Sequence, residues 1–150
     1  MITLPEDAVG LIAQYFPRCA LHRHAVRGDD RGWLVALEER HDVPFDIARV
    51  YYLFGQGPGV ERGFHAHRAL DQWAVCVSGG CRVRLYDGAV WKEAVLDRPE
   101  LGLHIGPMIW HEMYDFAPNT AFVVLASAPY DEADYIRDRG AFERLTGPLA

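Results

Sequence analysis

From Trp33 onward, short apolar runs alternate with Gly, Pro, Asn and Asp, the pattern of an all-β sandwich or barrel. GWLVALEE (32–39) and ARVYYLF (48–54) read as strands. QWAVCVSGGCRVRLYDG (72–88) predicts a hairpin turning at Gly79-Gly80, with Cys81, Val83 and Leu85 alternating with Arg82, Arg84 and Tyr86. Asp87-Gly88 opens another turn before AVWKEAVL (89–96). Pro107 precedes a strand through MIWHEMYDF (108–116), and AFVVLAS (121–127) is a further buried strand. The tail YDEADYIRDRGAFERL (130–145) predicts one or two short helices, with Asp131 as an N-cap. Residues 1–28 carry the least legible pattern and stand as an atypical extension. Many short strands and a short helical tail predict a jelly roll, one of the ways an antiparallel fold protects its edges.

Composition narrows this picture. The chain has 150 residues, half of them hydrophobic, enough for one substantial core and a single domain over residues 1–150. No internal repeat or linker interrupts it. A net charge of -6 argues against nucleic acid as a partner, although local arginines can still bind a diphosphate. Three cysteines without metal-ligand pairing predict no disulfide framework. The start has no basic n-region, and no apolar run approaches membrane-span length, so a cytoplasmic protein without membrane association is expected.

The candidate chemistry is concentrated in GVERGFHAHRALDQWAVCVSG (59–79). On a strand, His65 and His67 point to one face. The segment matches the first histidine motif of the cupin barrels, G-x5-H-x-H-x4-E-x6-G, except that Gln72 replaces the metal-binding glutamate. An amide brings no negative charge, so divalent-metal affinity should fall, and no metal or other cofactor is expected. Neutral imidazoles, with an ordinary pKa of about 6.5, can instead move protons. His22 and His24 share the spacing but lack the flanking motif, and read as a solvated strand or loop feature. His111, in GPMIWHEMYDF, stands where a second cupin motif places its single histidine. Arg62 suits a phosphate or a developing oxyanion, and Tyr52 and Tyr114 are candidate sugar or base contacts, with Tyr51 directed to the opposite face from Tyr52. Trp110 reads as core or rim and Cys76 as core.

RGFHAHRALDQ, GPMIWHEMYDF, LASAPYDEADYIRD, DDRGWLVALEE and ARVYYLF together resemble the sugar-nucleotide 3,4-ketoisomerases, over residues 29–142. The resemblance implies a cupin double-stranded β-helix acting on dTDP-4-keto-6-deoxyglucose in 3-amino-3,6-dideoxyhexose biosynthesis. It implies metal-independent tautomerisation, in which His65 or His67 removes the C3 proton and an enediolate is reprotonated at C4. Arg62, Tyr52, Gln72, His111 and Tyr114 become pocket neighbours. The resemblance further implies a homodimer with exchanged strands, in which Arg31 contacts the nucleotide of the neighbouring subunit. His104 departs from the family, where tyrosine is expected before I-G-P. The competing readings are a 3,5-epimerase on the same substrate, a non-catalytic sugar-binding cupin and a metal-dependent dioxygenase.

Overall fold

Alternating apolar positions give each strand one oily side, and two antiparallel sheets close over those sides. The computed structural model describes residues 9–147. Its strands are β1 (Gly10–Phe16), β2 (Cys19–Arg23), β3 (Arg27–Asp29), β4 (Gly32–Leu34), β5 (Arg49–Phe54), β6 (Arg62–His67), β7 (Gln72–Ser78), β8 (Cys81–Tyr86), β9 (Trp91–Leu96), β10 (Leu101–Ile105), β11 (Trp110–Tyr114), β12 (Ala121–Ala126) and β13 (Tyr135–Ile136). One helix, α1 (Arg139–Thr146), closes the described chain. The sheets run β1-β2-β10-β7-β12-β5 and β13-β6-β11-β8-β9, with β3-β4 as a separate pair. This is a double-stranded β-helix, or jelly roll, and its main core lies between the two large sheets. Leu21, Cys76, Val83, Leu85, Leu96, Leu103 and Phe122 meet there, nearly or fully inaccessible. Each of the valine, leucine and phenylalanine side chains among them contributes roughly 1.5–3 kcal/mol on burial.

The segment expected to form a hairpin over 72–88 does not. Its two strands belong to different sheets: β7 pairs with β10 and β12, whereas β8 pairs with β9 and β11. Gly79-Gly80 is the corner between sheets. Gly79 sits at φ +68°, and a Cβ there would lie 2.4 Å from the Thr120 hydroxyl oxygen. Thr120 Oγ1 in turn accepts from the Gly80 N–H at 3.1 Å. The turn residues are legible locally, but which sheet each arm joins is a long-range choice.

The strand expected over 32–39 ends at Leu34. The chain beyond it crosses the outer face of the six-stranded sheet, where Val43 and Phe45 pack on Trp73 and Val75. Those two β7 residues face away from the main core, so they require a cover of their own. Five strands escaped the sequence pattern: β1, β2 and β3 at the N-terminal end, β10, and β13, which lies in the tail expected to be helical and is extended there because it pairs with β6. Residues 1–8 of the expected extension lie outside the described residues. His22 and His24 are not a solvated pair either. His24 is buried and accepts from Trp73 Nε1 at 3.0 Å, while the His22 ring packs on the same indole.

The tail behaves as its caps dictate. Asp131 caps a single 3₁₀ turn (Glu132–Asp134), and Asp138 caps α1 by accepting from Ala141 N–H at 2.7 Å. Between them β13 pairs with β6, and Phe142 of α1 seals Ala66, Trp110 and Ile136 against the outer side of the five-stranded sheet. Among the described residues, no helix is long and apolar enough to cross a membrane.

Candidate active site

Residues directly opposite in an antiparallel pair point to the same face. His111 opposes His65 across β11 and β6, and Tyr135 opposes His67 across β13 and β6. Three imidazoles therefore converge inside the barrel. The His65 ring centroid lies 5.0 Å from that of His67 and 4.6 Å from that of His111. Tyr135 packs on both His65 and His67, at 4.9 and 4.4 Å.

Arg62 belongs to this face for a reason that strand periodicity alone denies. It lies three positions before His65, which on a regular strand would put the two on opposite sides. Gly63 (φ +93°) and Phe64 (φ +61°) form a bulge, and the register slips between His111 and Glu112. Arg62 consequently opposes Met113, whose side chain belongs to the main core. The extra residue puts Arg62, at the exposed end of β6, in register with the inward side of β11.

Each imidazole has an acceptor beside Nδ1. For His65 it is the Gly63 carbonyl at 3.0 Å, for His111 the Ile109 carbonyl at 3.1 Å, and for His67 the Asp134 carboxylate at 3.1 Å. In the neutral rings, Nδ1 must therefore carry the proton, which leaves Nε2 as a bare lone pair. Nε2 of His67 is buried with no hydrogen-bond partner. His65 is half-buried, whereas His67 and His111 are almost inaccessible. His65 is thus the most accessible of the three rings.

Burial lowers all three pKa values. His67 is lowered to about 4, by burial and then by His65, with Asp134 opposing. Burial pushes His111 well down, and its two imidazole neighbours add to the effect. His65 is lowered by burial, partly offset by the Gly63 carbonyl. The site thus holds neutral bases at neutral pH. Unfolded, these rings protonate near pH 6.5, so below that pH the unfolded chain binds more protons than the folded one. Stability is expected to be full above about pH 6.5 and to fall as the pH drops toward about 4. Thermal melts across that window check this, and a Tm that stays flat would contradict the buried neutral histidines.

The expected pocket neighbours divide. Gln72, on β7, faces inward and donates to the Tyr51 hydroxyl at 2.6 Å. Tyr51 rather than Tyr52 is the tyrosine of the interior. Tyr52 is 64% exposed on the outer face of edge strand β5, because alternation turns Arg49, Tyr51 and Leu53 inward. Tyr114 also lies outside the cluster, hydrogen-bonded to Glu93 and under the Arg84 guanidinium at 3.8 Å. Arg31 sits in the β3-β4 hairpin, exposed, with its guanidinium paired to Asp29. His104 stacks on Trp73 and bonds Asp71 on the outer face, away from the three histidines. Asp134, Tyr135 and Tyr51 are the residues that strand-by-strand reading missed. Asp134 joins His67 from a turn 67 residues along the chain, and its segment is visible only in the run LASAPYDEADYIRD.

Among the described residues, His65, His67 and His111 form a group that could hold a metal, with ligand nitrogens within 4.8 Å of one another. Imidazole is the right ligand type for iron, nickel or zinc. Bonds of 2.0–2.1 Å in a tetrahedral shell require nitrogens roughly 3.3 Å apart, so the rings would have to draw in. Gln72, standing in the carboxylate position, brings no charge and commits its amide N–H to Tyr51. The donor set fits proton transfer without adjustment.

Comparison with known proteins places this geometry. The family model described as FdtA (WxcM-like, C-terminal) matches residues 17–147. The chain is 51% identical over 121 residues to a TDP-4-oxo-6-deoxy-alpha-D-glucose-3,4-oxoisomerase of Aneurinibacillus thermoaerophilus, covering 81% of this chain and 87% of that one. A histidine-to-asparagine variant of the 3,4-ketoisomerase QdtA from Thermoanaerobacterium thermosaccharolyticum, solved with TDP-4-keto-6-deoxyglucose, superimposes with TM-score 0.85 at 36% identity, covering 88% and 96%. The WlaRB TDP-quinovose 3,4-ketoisomerase of Campylobacter jejuni gives 0.83 at 42% identity, covering 86% and 99%. The sugar epimerase NovW of Streptomyces spheroides, at 19% identity and TM-score 0.72 over 83% and 71%, shares the fold alone.

Proposed function

The chain belongs to the FdtA family and is a sugar-nucleotide 3,4-ketoisomerase, and we propose that it moves the ketone of a dTDP-linked 4-keto-6-deoxy sugar from C4 to C3 by histidine acid/base chemistry. The observation that carries the mechanism is the set of neutral imidazoles presenting Nε2 lone pairs to one interior face. The C3 hydrogen is acidic because the neighbouring carbonyl delocalises the charge left behind. His65, the accessible member of the set, takes that proton. The resulting enediolate needs hydrogen-bond donors or positive charge at its oxygens. Tyr51 suits this role: its oxygen already accepts from Gln72, so its O–H proton is free to donate, and burial pushes its pKa to about 12 so it stays protonated. Arg62 adds positive charge from the same face. Reprotonation at C4, with the C3 hydroxyl proton passing to the C4 oxygen, leaves the ketone at C3 and a hydroxyl at C4, and no atom is gained or lost.

The enzyme works in this reading as a cytoplasmic homodimer. Its three cysteines are free thiols, as a reducing compartment allows. The outer side of β5 leaves Val50, Tyr52 and Phe54 exposed, and Trp33, Leu34 and Val77 are exposed as well. A second copy covering these residues would bury the apolar patch and bring the β3-β4 hairpin with Arg31 to its neighbour. That reassigns Tyr52 from substrate to subunit contact.

Proton NMR of chelator-treated protein with dTDP-4-keto-6-deoxyglucose in D2O tests the reaction. A 3-keto product labelled at C4 is expected, with activity surviving the chelator. Exchange at C3 and C5 without carbonyl migration would mean an epimerase instead. Loss of activity restored by a divalent ion would replace the proton-transfer mechanism with a metal-assisted one.

A further inference from the structure

His65 and His111 take their tautomers from main-chain carbonyls, which no substitution of those partners removes. His67 differs, because a side chain decides its tautomer. Asp134 ends the 3₁₀ turn that Asp131 caps, and the main chain pins it there: its carbonyl accepts from Arg68 N–H at 2.9 Å. Immediately afterwards Tyr135 pairs with His67 itself. The carboxylate then splits its two oxygens. Oδ1 accepts from the Ala69 N–H at 2.8 Å, and Oδ2 lies 3.1 Å from His67 Nδ1. At the other side of the ring, buried Nε2 meets no partner in the protein.

We propose that Asp134 is a positioning residue for the isomerisation, holding His67 as the Nδ1–H tautomer so that its Nε2 lone pair faces the reaction cleft. This rests on the proton-transfer reading and assigns His67 the part of second proton carrier beside His65. A carboxylate suits the role because both its oxygens only accept. It meets an N–H on each side and supports the imidazolium that forms when His67 takes up a proton.

Asp134→Asn separates this role from simple packing. The amide keeps the size of the carboxylate, and Ala69 N–H fixes its oxygen on the Oδ1 side. Its NH2 group is then left facing His67 Nδ1, which must become the acceptor. The proton moves to Nε2, and the lone pair leaves the cleft. The hydrogen-bond count is unchanged, so the fold should survive. The test combines kinetics with nitrogen NMR of ¹⁵N-histidine-labelled protein, the His67 signals being identified by their loss in His67→Gln. Wild type is expected to show the Nδ1–H tautomer at His67, and Asp134→Asn the Nε2–H tautomer. The variant's kcat should fall about 10²-fold or more, with KM within about threefold of wild type. An Nε2–H tautomer in the wild type would overturn the proposal without any variant being made. So would an unchanged tautomer in Asp134→Asn, or a switched tautomer with normal kcat. None of these outcomes touches the role of His65, which its own substitution tests.

Discussion

Replacing His65 by asparagine is expected to lower kcat by about 10²- to 10⁴-fold, the contribution typical of a general base, while the protein still binds its nucleotide sugar. Asparagine preserves a polar side chain of similar reach but offers no basic nitrogen at neutral pH. The half-buried position of His65 at the mouth of the histidine cluster makes it the ring a substrate reaches. Its Nδ1 bond to the Gly63 carbonyl holds it as a base on entry, without rearrangement. Steady-state turnover, paired with calorimetric titration of dTDP, checks both halves of the expectation. If His65→Asn and His67→Asn each retained normal turnover, the proton-transfer mechanism would be wrong. Equal loss of turnover and of binding would make His65 a binding residue.

Gly63→Val is expected to lower kcat/KM by at least about 100-fold and to reduce Tm on the order of 10 °C. Gly63 sits at φ +93°, a conformation that a β-branched residue does not tolerate. A Cβ there would lie 2.8 Å from the His111 carbonyl oxygen and 3.3 Å from the Glu112 Cα, both backbone atoms that cannot swing aside. Strain of about 1–3 kcal/mol adds to the cost of displacing β11. The bulge must therefore relax, and three site features depend on it. Arg62 loses its place opposite Met113, His65 loses the carbonyl that sets its tautomer, and His111 is the residue pushed. A variant with unaltered Tm and activity would show that the bulge does not organise the site.

How much of the site was legible along the chain depended on distance. His65 and His67 stand two apart on one strand, and the glycines and Gln72 around them have fixed local offsets, so period-two geometry was enough. Tyr51 was mistaken for the outward residue, because alternation says that Tyr51 and Tyr52 differ but not which one faces in. That choice was made by β12, against which β5 lies as an edge strand. Arg62 has a spacing from His65 that a regular strand would send to the opposite face. Only the left-handed pair at Gly63 and Phe64 corrects it. Asp134 had no local signal toward a histidine 67 residues away.

By itself, then, the sequence determined an all-β chain with a helical tail, the positions of most strands, and a histidine pair on one strand face with an amide where metal cupins keep a carboxylate. It did so because those properties follow from neighbours within a few residues. Sheet membership, the inward face of β5, the outer cover formed by residues 35–47, and the meeting of His67 with Asp134 were decided only in three dimensions. Each is a contact between distant segments. Its energy comes from burying apolar faces and completing buried hydrogen bonds, and neither term exists until the sheets have closed.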